Sequence, residues 1–315
     1  MSVVFFSILK LFVIVFFGFY LYRKKTLNED ALSFLTFFVI NLTIPFLIFT
    51  KITDSFTPHF KPSLLSFIGL SILIFISGLV IGGIISLSAP KQVRREFISL
   101  VSFQNCGYLP MNIALFLFPP FLRDKFLIYI FLYILGFNIL MWSVGSFFIF
   151  KKGKEKFNFK SLLNPPVLST LIALFFVYTG LKDFIPGVII SPLKIIGDTS
   201  FPLSMIILGA WLAKGRIKES FPWILPVLKI SLIKLIVIPL IFFLAVWKLK
   251  IFSLFGLFII LEASMPSAAS LPIVVNLRKA NSKFVSQGVF FTHLISVITV
   301  PIWVELFLKI SGFRF

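Results

Sequence analysis

The sequence is short of acid, of charge in general and of cysteine. Only 11 of its 315 residues are Asp or Glu, against 30 Lys and Arg, and charged residues total 13%. Soluble domains carry about 25% charged and about 45–50% apolar residues. This chain is 59% hydrophobic and holds 44 Phe, which argues against a soluble enzyme. The net charge of +19 does not make it a nucleic-acid binder. Such a protein lines one face with basic residues, whereas here they form short clusters between long apolar runs. No nucleic-acid partner is expected. A single cysteine, Cys106, excludes an internal disulfide framework and a cysteine-only metal site. The sequence has no phosphate-binding loop, histidine-rich motif or nucleophile–base arrangement. No catalytic residue, metal or cofactor is therefore expected.

A helix needs about 20 apolar residues to cross about 30 Å of hydrocarbon. The chain offers ten such segments. Spans one to five are read at Ser2–Tyr22, Ala31–Thr50, Ser63–Ser88, Phe97–Phe118 and Phe126–Phe150. Spans six to ten are Pro166–Leu181, Val188–Ala213, Ser220–Val246, Phe252–Asn276 and Phe284–Leu308. Backbone groups inside lipid must pair within the chain, which favours helices, and the alternation of barrel strands is absent. The fold class expected is an all-α polytopic membrane protein. Span one lacks the basic start and small-residue cleavage site of a signal peptide, so it stays as a helix.

Loops after the odd-numbered spans carry 17 Lys and Arg, including Arg23–Lys25, Lys91, Arg94, Arg95 and the Lys151–Lys160 cluster. The other side carries 9. The richer side is read as cytoplasmic, which places both termini outside the cell membrane. Basic ends of this kind also attract anionic lipid headgroups.

The halves read as a repeat. At an offset of 157 residues, Asn41–Pro45 falls on Asp198–Pro202 and span three on span eight. The segment Asn105–Pro110 falls within one residue of Glu262–Pro266. Five spans per half is an odd number, so the second copy enters the membrane from the opposite face, as in many secondary transporters. The expected division is a first five-helix repeat over 1–150, a cytoplasmic linker over 151–160 and an inverted repeat over 161–315.

Spans four and nine should break. Gln104-Asn-Cys-Gly-Tyr-Leu-Pro110 and Glu262-Ala-Ser-Met-Pro266-Ser267 combine proline, which lacks an N–H, with small and polar residues. Freed backbone at membrane depth persists only inside protein or beside a wet cavity. Opposed half-helix ends there can hold an anion, a cation or both. The candidate substrate and ion residues are Asn41, Gln104, Asn105, Tyr108, Pro110, Asp198, Glu262, Ser264, Pro266 and Ser267. An ionisable group inside the membrane is a functional candidate by default. Glu262 reads as a sodium ligand, a proton carrier, or a partner of Lys229, Lys234 or His293. For Asp198 the plain reading is an ion pair with Lys194 four residues earlier. His293 reads first as a hydrogen-bonded structural residue, and Gly78…Gly82 as helix packing.

At these positions the chain resembles the auxin efflux carrier family, whose bacterial members are organic-anion permeases. The matching pieces are Asn41–Pro45, the Asn105-Cys-Gly-Tyr segment, Asn164-Pro-Pro166, Pro202–Gly209, Met265–Ala268 and Val285–Trp303. Family members often carry Gly, then Pro, after the span-four Asn. Here those positions are Pro110 and Asn112, which places the break half a turn earlier. The resemblance implies the fold of the bile-acid/sodium symporters. Spans one, two, six and seven would be a scaffold, and the rest a transport domain in which spans four and nine cross. It also implies elevator-like alternating access and a homodimer. The expected function is a secondary transporter for a small organic anion, a carboxylate by that resemblance. A sodium-coupled symporter of the bile-acid type and a transporter-like ligand or lipid sensor are the alternatives.

Overall fold

The computed structural model describes residues 3–57, 63–141, 163–214, 223–272, 275 and 280–313. The linker 151–160, the end of span five and the start of span eight lie outside the described residues. Among the described residues every named element is helical. They run α1 (Val3–Arg23), α2 (Glu29–Phe38), α3 (Ile44–Ser55), α4 (Leu64–Ser86), α5 (Arg94–Ser102), α6 (Tyr108–Leu117) and α7 (Pro120–Leu140). The second half gives α8 (Pro165–Tyr178), α9 (Gly187–Asp198), α10 (Ser200–Lys214), α11 (Ile224–Leu232), α12 (Ile238–Lys248), α13 (Leu254–Ser264) and α14 (Ser282–Ser311).

Each expected span carries helix. Among the described residues six continuous stretches are long and apolar enough to cross a bilayer. Tyr108–Leu117, Pro165–Tyr178 and Leu254–Ser264 are shorter apolar helices. Many large apolar side chains point outward, among them Phe16, Phe34, Phe37, Leu65 and Val188. In water such a surface would be an aggregation liability. In lipid it is the ordinary exterior.

Two prolines reshape long helices in the same way, while Pro192 and Pro301 lie within α9 and α14. Spans two and eight each contain a π turn, Val39–Thr43 and Ile233–Val237, and each turn ends just before Ile-Pro. A proline ring clashes with the carbonyl four residues back and cannot donate to it, and widening the helix to a π turn relieves both problems. For Pro239 the carbonyl left over is that of Leu235, and it accepts the Trp303 indole N–H at 2.8 Å. Pro110, Pro202 and Pro226 instead lie in the first turns of α6, α10 and α11, where no intrahelical N–H is missed.

Small residues set the closest approaches. A Cβ at Gly18 or Gly209 would overlap the backbone across the α1–α10 contact. On α4, Gly78 and Gly82 lie against Val101 and Ser102 of α5, as close packing requires. Behind them Phe67 of α4, Phe126, Tyr129 and Tyr133 of α7 and Phe258 of α13 interlock, with ring centroids 4.9–5.8 Å apart. This aromatic block fixes α7 and α13 beside the interruption in span four.

Candidate functional site

Span four divides into α5 and α6, and span nine is interrupted after α13, with helical backbone again at Leu271 and Pro272. Phe103 and Met265, the residues after α5 and α13, adopt extended backbone angles. The extended segments then lie antiparallel, with Gln104 opposite Ser267. The Asn105 N–H donates to the Pro266 carbonyl at 2.8 Å, and the Ala268 N–H donates to the Phe103 carbonyl at 3.0 Å. Each break thus supplies the hydrogen-bond partners that the other has lost, as buried backbone requires. The two prolines take different parts in these breaks. Pro110 begins a new helix, and Pro266 lies in the extended segment and offers its carbonyl. Across the bridge Gln104 faces Ser267, and Asn105 faces Pro266.

The carbonyls at the end of α5 are taken up one by one. Ser99 accepts from the Phe103 N–H at 3.0 Å, Leu100 from the Ser267 hydroxyl at 2.7 Å and Val101 from Lys234 Nζ at 3.0 Å. Ser264 donates back to Leu261 within its own helix at 2.9 Å. Asn105 Nδ2 lies 3.0 Å from His293 Nε2. His293 Nδ1 lies 2.8 Å from the Val289 carbonyl, which can only accept. The proton therefore sits on Nδ1, and Nε2 receives the Asn105 amide. Gln104 Nε2 donates to the Tyr133 hydroxyl.

On one side of this junction lies a cavity of about 210 Å³. Gln104, Asn105, Gly107 and Tyr108 line it from span four, Asn138 from α7, Asn164 from the start of α8 and Ser270 from span nine. Ile40, Ile44, Phe131 and Ile134 supply much of its apolar wall. The N-termini of α6 and α8 both border it. Within α6 the Leu109 N–H is held by Asn105 Oδ1 at 3.4 Å and Pro110 has none. Among the described residues no protein acceptor meets the amides of Gly107 and Tyr108. A neutral wall with the N-terminus of α6 and several side-chain amides suits an anion that is to be held and released. The start of α8 offers no amide there, since Pro165 and Pro166 have no N–H and Asn164 takes up those of Val167 and Leu168.

The ten sequence candidates separate into three groups. Gln104, Asn105 and Tyr108 line the cavity, and Pro110 is buried in the first turn of α6 just behind them. Pro266 and Ser267 form the bridge, with Ser264 and Glu262 buried beyond it. Asn41 and Asp198 stand apart from both groups. Asn41 is exposed on the span-two π turn and donates to the Phe37 carbonyl at 2.8 Å. Asp198 is exposed at the end of α9. Its expected partner Lys194 instead pairs with Asp54 at 2.7 Å, because α9 packs on α3, with Gly197 against the Leu47 backbone. Asn138, Asn164 and Ser270 were not among the candidates. An asparagine within the apolar run of span five was the available signal for Asn138.

A family model described as "Membrane transport protein" matches residues 3–158 and 149–304. An "uncharacterized transporter" of Methanocaldococcus jannaschii is 24% identical over 306 residues, 94% of this chain and 96% of the relative. Another of Methanothermobacter thermautotrophicus is 25% identical over the same shares. The Arabidopsis thaliana "Protein PIN-LIKES 2" is 26% identical over 166 residues, 48% of this chain and 36% of the plant protein. With its series of apolar helices, the chain is a multi-pass membrane protein, and it belongs to the membrane transport protein family of the auxin efflux carriers.

Proposed function

We propose that the protein is a secondary carrier that moves a small organic anion, a carboxylate, across the cell membrane by elevator-like alternating access. The observation that carries this reading is the cavity at the meeting of the two broken helices. Its volume of about 210 Å³ is below the range of about 300–1,000 Å³ common for drug-sized ligands, which favours a small solute. Its wall is neutral and amide-rich. Nothing there would trap an anion permanently, as a buried Lys or Arg would.

The position of the cavity supports two moving parts. Spans two and six supply Ile40, Ile44, Asn164 and Pro166, while spans four, five and nine supply the rest of the wall. The first group belongs to the proposed scaffold and the second to the proposed transport domain. A solute held between them would change sides when one slides against the other. Two contacts favour the inverted repeat. Thr43 and Ser200, 157 residues apart, hydrogen-bond to each other at 2.8 Å, as equivalent residues near a two-fold axis would. The bridge bonds exchange under a similar rotation that carries 103 onto 266 and 105 onto 268. On this reading the repeats are 1–150 and 161–315, and both termini are extracytoplasmic. The exposed apolar faces meet membrane lipid and a second copy of the chain.

The test is uptake of a panel of labelled small carboxylates into proteoliposomes. At least one should enter saturably, and Asn105→Ala and Asn138→Ala should weaken its binding. Losing one hydrogen bond to a charged ligand costs about 1.5–3 kcal/mol, or about ten- to a hundredfold in affinity. Equal uptake by empty and protein-bearing liposomes across the panel would overturn the reading.

A further inference from the structure

Two of the spans that line the cavity meet again on its far side. Ile40 and Ile44 come from span two, and Phe131, Asn138 and Met141 from span five. The 151–160 linker follows span five and precedes span six, so a wall that reaches Met141 and Asn164 lies toward the linker side. In the other direction Lys51 Nζ donates to Asp124 Oδ1 at 3.1 Å, which joins α3 to α7. Lys51 is seven residues beyond Ile44, and Asp124 is seven residues before Phe131. Seven residues make two helical turns, about 10 Å. The helices α3 and α7 pack on each other, and at the levels between cavity and ion pair Leu47, Ile48, Leu127 and Ile128 are fully buried.

The side chains of the pair are 17% and 27% exposed, and an ion pair within reach of water adds little to folding. Its position gives it another part. Span two belongs to the proposed scaffold and span five to the proposed transport domain, so the pair must separate whenever one slides on the other. Separation leaves no bare acid. Arg123 Nε lies 3.6 Å from the same Asp124 oxygen, and it sits on α7 and travels with the aspartate. Lys51 is left to water. The nearby pair of Lys194 with Asp54, at 2.7 Å, joins α9 to α3. Both of those helices belong to the scaffold, and that pair stays closed.

We propose that the Lys51–Asp124 pair is a latch, which closes the far side of the carrier and keeps the cavity turned toward the linker side. The inference rests on the two-part carrier reading and gives it a resting state, in which solute reaches the cavity from the linker side. A half-exposed pair changes the ratio of two states by up to about fivefold. A contact of that size biases the resting state without trapping it.

The test is the sidedness of Cys106, which lines the cavity. An impermeant methanethiosulfonate is added to sealed membrane vesicles of either orientation, and the extent of modification is followed on the protein after purification. In wild-type protein the reagent should react faster from the linker side. Lys51→Met should lower the ratio of the two rates by up to about fivefold, and Lys51→Glu, which sets two acids against each other, should lower it further. Lys51→Glu/Asp124→Lys should recover the wild-type ratio. Lys194→Glu, at the pair that stays within the scaffold, should leave the ratio unchanged. Four results would overturn the proposal: wild-type protein that reacts no faster from the linker side, a folded Lys51→Met or Lys51→Glu with the wild-type ratio, an exchanged pair that recovers nothing, or a Lys194→Glu shift as large as that of Lys51→Glu. Failure of both Lys51 variants to fold would make the pair structural and overturn it too. Modification does not require a solute. A wild-type protein that carries no anion therefore counts against the carrier reading, whatever the ratio of rates shows.

Discussion

The packing of α4 on α5 is best tested with two glycines of the same helix. At Gly78 an added Cβ would lie 2.7 Å from Ser102 Cα and 2.9 Å from the Val101 carbonyl oxygen. Carbon atoms pack best at about 3.5–4.0 Å, so Gly78→Ala must push the last turn of α5 away by about 1 Å. Backbone cannot swing aside as a side-chain tip can, and overpacking of this kind costs about 1–3 kcal/mol. At Gly83 an added Cβ meets nothing within 4 Å. Both substitutions gain the helix preference of Ala over Gly, about 1 kcal/mol, so the difference between them isolates the clash. Gly83→Ala should melt at or above the wild-type temperature and Gly78→Ala below Gly83→Ala, followed by intrinsic tryptophan fluorescence in detergent. The displaced turn carries both Val101, which Lys234 holds, and the approach to Phe103 in the bridge. Gly78→Ala should therefore lose anion affinity as well as stability, while Gly83→Ala keeps both. Equal melting of the two variants, or a lower value for Gly83→Ala, would refute the packing argument.

Trp303→Phe preserves the ring but removes the donor to the Leu235 carbonyl. It should cost about 1–2 kcal/mol, seen as a lower melting temperature. Lys51→Ala breaks a half-exposed ion pair with Asp124 and should change stability by less than about 1 kcal/mol; a larger loss would show that the α3–α7 contact depends on that pair. In intact cells, cysteine introduced at Ser311 should react with an impermeant thiol reagent and one at Asn158 should not, with Cys106→Ser as the background. The opposite pattern would invert the proposed orientation.

The spans were legible because lipid leaves a helix few ways to satisfy its backbone, so apolar run length nearly determines the element. The breaks were legible for the same reason, since Gly107, Pro110, Pro266 and their polar neighbours mark where the ladder fails. The bridge register was not. The pairing of Gln104 with Ser267 follows from how the ends of α5 and α13 approach one another, and the spacing of the prolines does not encode that approach. Pro110 and Pro266 are both real features but occupy different positions relative to the bridge. Asn41 and Asp198 were drawn toward the site by their polar character within apolar runs. Their outward placement depends on which face of each helix meets its neighbour. Lys234 was visible only as one of three possible partners for Glu262. That its nitrogen goes to Val101 follows from the π turn and from the approach of α5, and neither is written in local spacing.

The central claim is that the cavity beside the broken helices is where the anion binds. Cys106 is the chain's single cysteine and lines that cavity, so it reports occupancy without any introduced label. The deciding measurement is the rate at which a small methanethiosulfonate modifies Cys106 in purified protein, with and without each transported carboxylate at saturating concentration. Binding in the cavity predicts that the transported anion slows modification. It also predicts that Asn105→Ala shifts the concentration for half-protection upward by about ten- to a hundredfold, in line with the loss of one charge-assisted hydrogen bond. A modification rate that no transported carboxylate alters would place the binding site elsewhere and contradict the account.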